Sequence, residues 1–203
     1  MRGKFITIEG PDGAGKTTQL NKIREYLLSK DRKVLVTREP GGTELGERLR
    51  EILLATEGDC PVPEAEALIY AACRVQLMKN VIAPALDSGC DVLCDRFVDS
   101  SLAYQGWARG LGIQNVLSIN KWFLKDYWPD LTLLLDIDPN ISLKRLSGKK
   151  DRLESELMDF HLKVRQGFTI VQQSFSERIK IIDASKKPDE VFQDIKLELE
   201  KLL

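Results

Sequence analysis

The stretch Ile8 to Thr18, IEGPDGAGKTT, follows an alternating apolar run and precedes a helical one, and its reading decides the fold. Gly10, Gly15, Lys16 and Thr17 satisfy the spacing GxxxxGK[ST], in which glycines let backbone N–H groups turn inward around an anion. Lys4–Glu9 upstream has strand patterning, and Leu20, Ile23, Leu27 and Leu28 downstream have helical spacing. A helix starting near Lys16 aims its positive dipole end at the same anion. The loop from Gly10 through Pro11, Asp12, Gly13, Ala14 and Gly15 to Thr18 is therefore expected to cradle a nucleoside triphosphate. Lys16 would bind its β and γ oxygens, and Thr17 would ligate magnesium.

The rest of the 203-residue chain repeats strand and helix in alternation, as one domain over 1–203. Strands are expected at Lys33–Arg38, Cys90–Asp95, Leu131–Asp138 and Ile179–Asp183, with helices at Glu44–Ala55, Glu64–Leu86, Glu154–Phe175 and Pro188–Leu203. The segment after Asp95 reads as a loop, followed by a helix through Val116, Ile119 and Phe123. This order predicts an α/β fold of three layers: a mostly parallel five-stranded sheet, helices on both faces, ligands at the carboxyl ends of the strands.

Composition narrows the function. Thirty basic side chains against 31 acidic ones give a net charge of -1, with 43% hydrophobic and 30% charged residues. That balance points away from nucleic acid and from membranes, and no apolar run approaches a spanning helix. A cytoplasmic location is expected. Cys60, Cys73, Cys90 and Cys94 form no CxxC pair and read as buried thiols, His161 being the single histidine. Trp107, Trp122 and Trp128 read as packing residues. A GTPase needs a guanine-reading carboxylate, but Asn120–Phe123 reads NKWF, and Asp12–Gly15 is the sole DxxG.

Four more segments, TREPGGT (Thr37–Thr43), YAACRVQ (Tyr70–Gln76), DRFVDSSLAYQG (Asp95–Gly106) and KKDRLE (Lys149–Glu154), stand in order with GPDGAGKTT. Together they resemble the thymidylate kinases, P-loop enzymes that phosphorylate dTMP to dTDP with ATP and magnesium. The resemblance implies homodimers and assigns roles. Arg96 grips the dTMP phosphate, as a planar fork suited to phosphate oxygens. Asp95 organises the magnesium shell or Arg96, or caps nearby backbone. Arg38 and Arg50 are secondary phosphate ligands or surface pairs, beside Pro40.

Tyr70 and Arg74, four apart on a helix, share one face, where a ring stacks on thymine and a guanidinium donates to its O4. Ser101 matches the position contacting thymine N3, Tyr104 the ring that crowds the sugar 2′ position, and Asp12 the carboxylate accepting from the 3′ hydroxyl. Some members carry arginine after that carboxylate; this chain has Gly13. It resembles those in which a closing lid, here about 145–154, supplies the cation. Arg152 is then the residue expected at the transferred phosphate, supported by Lys149 and Lys150, with Arg145 against adenine. Another small phosphotransferase on the same scaffold, or a regulatory ATPase, is the alternative.

Overall fold

In the computed structural model, residues 2–146 and 151–203 are described. Five strands, β1 (Phe5–Glu9), β2 (Val34–Arg38), β3 (Asp91–Asp95), β4 (Leu131–Asp136) and β5 (Ile179–Asp183), form one sheet in the order β2-β3-β1-β4-β5. Every pairing is parallel, with Ile8 opposite Asp95 on one side and Leu133 on the other. The order changes direction beside β1, so the carboxyl ends of β1 and β3 open the crevice in which such sheets bind ligands.

The apolar runs divide cleanly between the two faces. Leu131, Leu133 and Leu135 of β4 pack with Ile6 and Ile8 under α1 (Lys16–Leu28), whereas Leu134 joins Phe5, Val92 and Cys94 on the opposite side. That second face is covered by α3 (Pro63–Leu77), which follows α2 (Glu44–Leu54). The Thr43 hydroxyl caps α2 by accepting from Gly46 N at 3.0 Å.

The helix expected at Glu64–Leu86 is interrupted. After α3, residues Met78–Ile82 form a wider π-helical turn that leads into α4 (Ala83–Asp87). Pro84 lacks an N–H and would crowd the carbonyl four residues back, and the amide of Ala83 bonds Met78 O, five back, instead.

The segment after Asp95, read as a loop, is helical: α5 (Val98–Ser101) continues as a π-helical run, Leu102–Ala108. Val98, Leu102 and Ala103 are fully buried, and α6 (Ile113–Leu124) follows. Beyond β4 a short α7 (Pro139–Ser142) leads to Arg145. The long helix expected from Glu154 begins later, as α8 (Met158–Ser174), because residues 151–154 close a turn in which Asp151 Oδ1 accepts from Glu154 N at 2.8 Å. Gly167 lets α8 lie directly on the Leu102–Ala108 run, since a Cβ there would stand 2.8 Å from Ala103 O. The chain closes with α9 (Pro188–Leu202) beside α1.

Two expectations about side chains need correction. Cys73 and Cys94 are buried, but Cys60 is exposed in the polar loop between α2 and α3, and Cys90 is half-buried. Of the tryptophans, Trp128 stacks on Phe175, whereas Trp122 is 81% exposed, its place on α6 turned away from the core.

Candidate active site

The phosphate loop turns through left-handed backbone at Gly13 (φ +78) and Gly15 (φ +91), and α1 starts immediately afterwards. At Gly13 a Cβ would meet the carbonyl oxygen of Ser142, in α7, at 2.0 Å. The position that carries arginine in some members here has no room for any side chain. Lys16 folds back over the loop, donating to Pro11 O at 2.9 Å and Gly10 O at 3.2 Å. Burial and the neighbouring Arg96 cation lower its pKa.

Two adjoining cavities meet at Arg96. One runs along the phosphate loop and is lined by Lys16, Thr17, Asp95, Arg145 and Lys186, together with Arg38 and Arg50. The other lies between Pro40, Tyr70, Ser101, Tyr104 and Leu153. Asp12, Glu39, Arg50 and Arg96 line both.

Arg96 occupies left-handed backbone at φ +65, which an arginine adopts only when its surroundings enforce it. Its amide donates to Ile8 O at 2.9 Å, locking the turn to β1. Its Nη2 donates to Asp12 Oδ1 at 2.7 Å, and its guanidinium lies 5.4 Å from the Tyr104 ring centroid. Burial alone would push the Asp12 carboxyl up, but Arg96 and Lys16 override it and hold that group well below the usual carboxylate range. Asp12 is thus a fixed anion set between two cations.

Arg74, expected at the base, stands directly behind residues that line the second cavity. Its side chain is 1% exposed and does not line the cavity. Nε donates to Glu39 Oε2 at 2.8 Å, Nη1 to Asn120 Oδ1 at 2.6 Å, and Nη2 to Ser101 Oγ at 2.9 Å. A buried guanidinium must place its N–H groups on acceptors, and two of these, Glu39 and Ser101, themselves line the cavity. Tyr70 does line the cavity, and burial raises its hydroxyl above the usual range.

Arg152 also sits elsewhere than expected. It donates to Glu66 Oε2 at 2.6 Å and to Leu53 O at 2.9 Å, between α2 and α3, and is not among the residues lining the phosphate cavity. The buried Glu66 carboxylate, 0% exposed, draws it there. Lys149 and Lys150 lie outside the described residues. Arg38 pairs with Glu47 at 2.9 Å on the surface, while Arg50 donates to Pro40 O at 2.9 Å and faces both cavities. Arg145 reaches Ala184 O at 3.3 Å and Gly13 O at 3.5 Å, at the mouth of the phosphate cavity.

Sequence reading missed two buried carboxylates. Glu39 carries an Oε1 with no hydrogen-bond partner, and burial pushes its pKa up to about 7 against the pull of Arg74. Glu9, at the end of β1, is pushed up to about 8 by burial and by Asp99. A glutamate closing an otherwise apolar strand immediately before the phosphate loop was the available signal.

The chain is similar to known proteins over almost its whole length. The thymidylate kinase family model matches residues 8–195. A thymidylate kinase of Geobacillus sp. (strain WCH70) is 50% identical over 196 residues, covering 95% of this chain and 93% of that protein. One from Ruthia magnifica is 45% identical over 204 residues, covering all of both. Among solved structures, a thymidylate kinase from Ehrlichia chaffeensis superposes with a TM-score of 0.79 at 32% identity, covering 98% of this chain and 99% of that one.

Proposed function

The chain belongs to the thymidylate kinase family and phosphorylates dTMP to dTDP with ATP as donor, in dTTP synthesis, and on that premise we propose which of its residues do the work. The phosphate loop holds the triphosphate, with Lys16 exchanging the carbonyls of Gly10 and Pro11 for phosphate oxygens. Arg96 holds the dTMP phosphate, and the cavity between Tyr70 and Tyr104 receives the nucleoside. The observation that carries this reading is Arg96 itself, held in left-handed backbone with its guanidinium at the junction of the two cavities.

The acceptor phosphate has its second pKa near 6, so it is already dianionic at neutral pH and needs no general base. The protein's task is to bring two anions into line and offset the charge between them. Arg50 and Arg96 line both cavities, Lys16 lines the phosphate cavity beside them, and Asp12 orients Arg96 while remaining free to accept from the 3′ hydroxyl. Arg74, through Ser101 and Glu39, makes the floor beneath the base a rigid set of donors and acceptors. For Arg152 to serve the transferred phosphoryl group, it must exchange Glu66 for phosphate oxygens.

Magnesium fits the donor set. Asp95 Oδ1 is buried with no hydrogen-bond partner and shares the phosphate cavity with Thr17. Those two residues would hold the ion, which would supply charge neutralisation on the phosphate oxygens. Among the described residues no cluster of three histidine, cysteine or acidic side chains offers an all-protein metal cage.

We place the enzyme in the cytoplasm; no helix of the described residues is long and apolar enough to cross a membrane. A homodimer is supported by exposed apolar side chains on two helices that pack together, Leu68 of α3 (56% exposed) and Trp122 of α6. ADP release measured with dTMP, dUMP, dCMP and AMP tests the acceptor. Acceleration by dTMP above the others is expected, and no acceleration by any would favour a regulatory ATPase.

A further inference from the structure

Glu9 touches neither cavity, yet it is fully buried beside the turn that aims Arg96. Its Oε1 accepts from Phe97 N at 2.7 Å and Ser100 N at 3.3 Å, the amides that follow Arg96 and open α5. Its Oε2 accepts from the Ser100 hydroxyl at 2.5 Å, and that hydroxyl accepts in turn from Arg96 Nη1 at 3.1 Å. With Glu9 ionised, the chain of donors runs one way, from Arg96 through Ser100 to Glu9.

We infer that Glu9 is a positioning residue for dTMP binding, acting through the Ser100 hydroxyl to hold the Arg96 guanidinium in its phosphate-binding orientation. This rests on the reading of Arg96 as the dTMP phosphate ligand. The physical requirement is directional. Ser100 has one proton; donating it to Glu9 turns its lone pairs toward Arg96. A group that donates at the Oε2 position would take one of the two serine lone pairs and leave the serine proton without this acceptor, so the hydroxyl turns and its contact with Nη1 weakens. Backbone contacts alone would not need this polarity, because a glutamine carbonyl could still accept from Phe97 N and Ser100 N.

Glu9→Gln separates the two roles, since it keeps shape and the backbone bonds and reverses the side-chain polarity. Steady-state kinetics above pH 8, where Glu9 is ionised, should show the KM for dTMP raised roughly tenfold, the size expected for one lost hydrogen bond to a charged group, with the KM for ATP within twofold of wild type. Ser100→Ala cuts the same relay. In that background Glu9→Gln should add little to the KM for dTMP. Equal effects of Glu9→Gln with and without Ser100, or KM values for both substrates rising together, would overturn the inference.

If Glu9→Gln does not fold, Ser100→Ala alone decides: a KM for dTMP equal to wild type overturns the relay. Arg96→Ala is the control for the underlying reading. A raised KM for dTMP in that variant with none in Glu9→Gln refutes the positioning role only; an unchanged KM in Arg96→Ala removes both.

Discussion

The Arg152 guanidinium meets the Glu66 carboxylate at 2.6 Å, two largely buried groups 86 positions apart in sequence. The contact ties the segment before α8 to α3 and leaves Arg152 away from the phosphate loop. If Arg152 crosses to the transferred group during turnover, Arg152→Ala lowers kcat by about 100-fold or more, the scale of removing one charge-stabilising donor, while the KM for dTMP stays within a few-fold. Near wild-type turnover would confine Arg152 to its contact with Glu66.

Glu39 supplies a pH dependence. Burial raises its pKa from 4.5 to about 7 in the folded chain, so the fold favours the neutral acid. Its contribution to stability is complete below pH 4.5 and is lost as pH rises through about 7, an effect on the order of 3 kcal/mol across that window. Melting curves from pH 5 to pH 8 should show a fall in Tm that is several degrees smaller in Glu39→Gln than in the wild type. Identical slopes would mean that the Glu39 carboxyl titrates alike in the folded and unfolded chain, against the raised value. Glu9, raised for the same reason, keeps the variant's slope from vanishing.

Gly13→Ala should damage the phosphate loop. The new methyl group would need the Ser142 carbonyl to retreat, in backbone that already has φ +78. A KM for ATP raised at least about tenfold and a Tm lower by several degrees are expected, as for overpacking next to fixed backbone. Wild-type values for both would show that α7 yields freely.

The exposed Trp122 gives the dimer a test. Trp122→Glu places a charge within the proposed interface, where an unpaired charge is strongly unfavourable. Sedimentation should move from a dimer in the wild type toward a monomer in the variant. A dimer of unchanged stability would put the interface on another face.

Much of this was legible in the sequence because it depends on local rules. The glycine spacing of the phosphate loop, the apolar run of β4 and the alternation of strand and helix each follow from conformational freedom or burial over a few residues. What escaped depends on distant partners. Val98–Ala108 looked like a loop because its polar residues, Asp99, Ser100 and Gln105, face buried partners such as Arg178, Glu9 and Glu66 rather than water. For Arg74, helical spacing gives a face but not a depth, and the acceptors that draw it inward come from Glu39, Ser101 and Asn120 on three other segments. Glu66, one helical turn before Tyr70 on α3 but carrying no motif signal of its own, is what holds Arg152 away from the phosphates.

Calorimetric titration of dTMP and of thymidine into the wild type and Arg96→Ala tests the central claim most directly, because thymidine has every group of dTMP except the phosphate. The account predicts that Arg96→Ala weakens dTMP binding at least about tenfold and leaves thymidine binding unchanged. Equal dTMP affinity in the two proteins would contradict it.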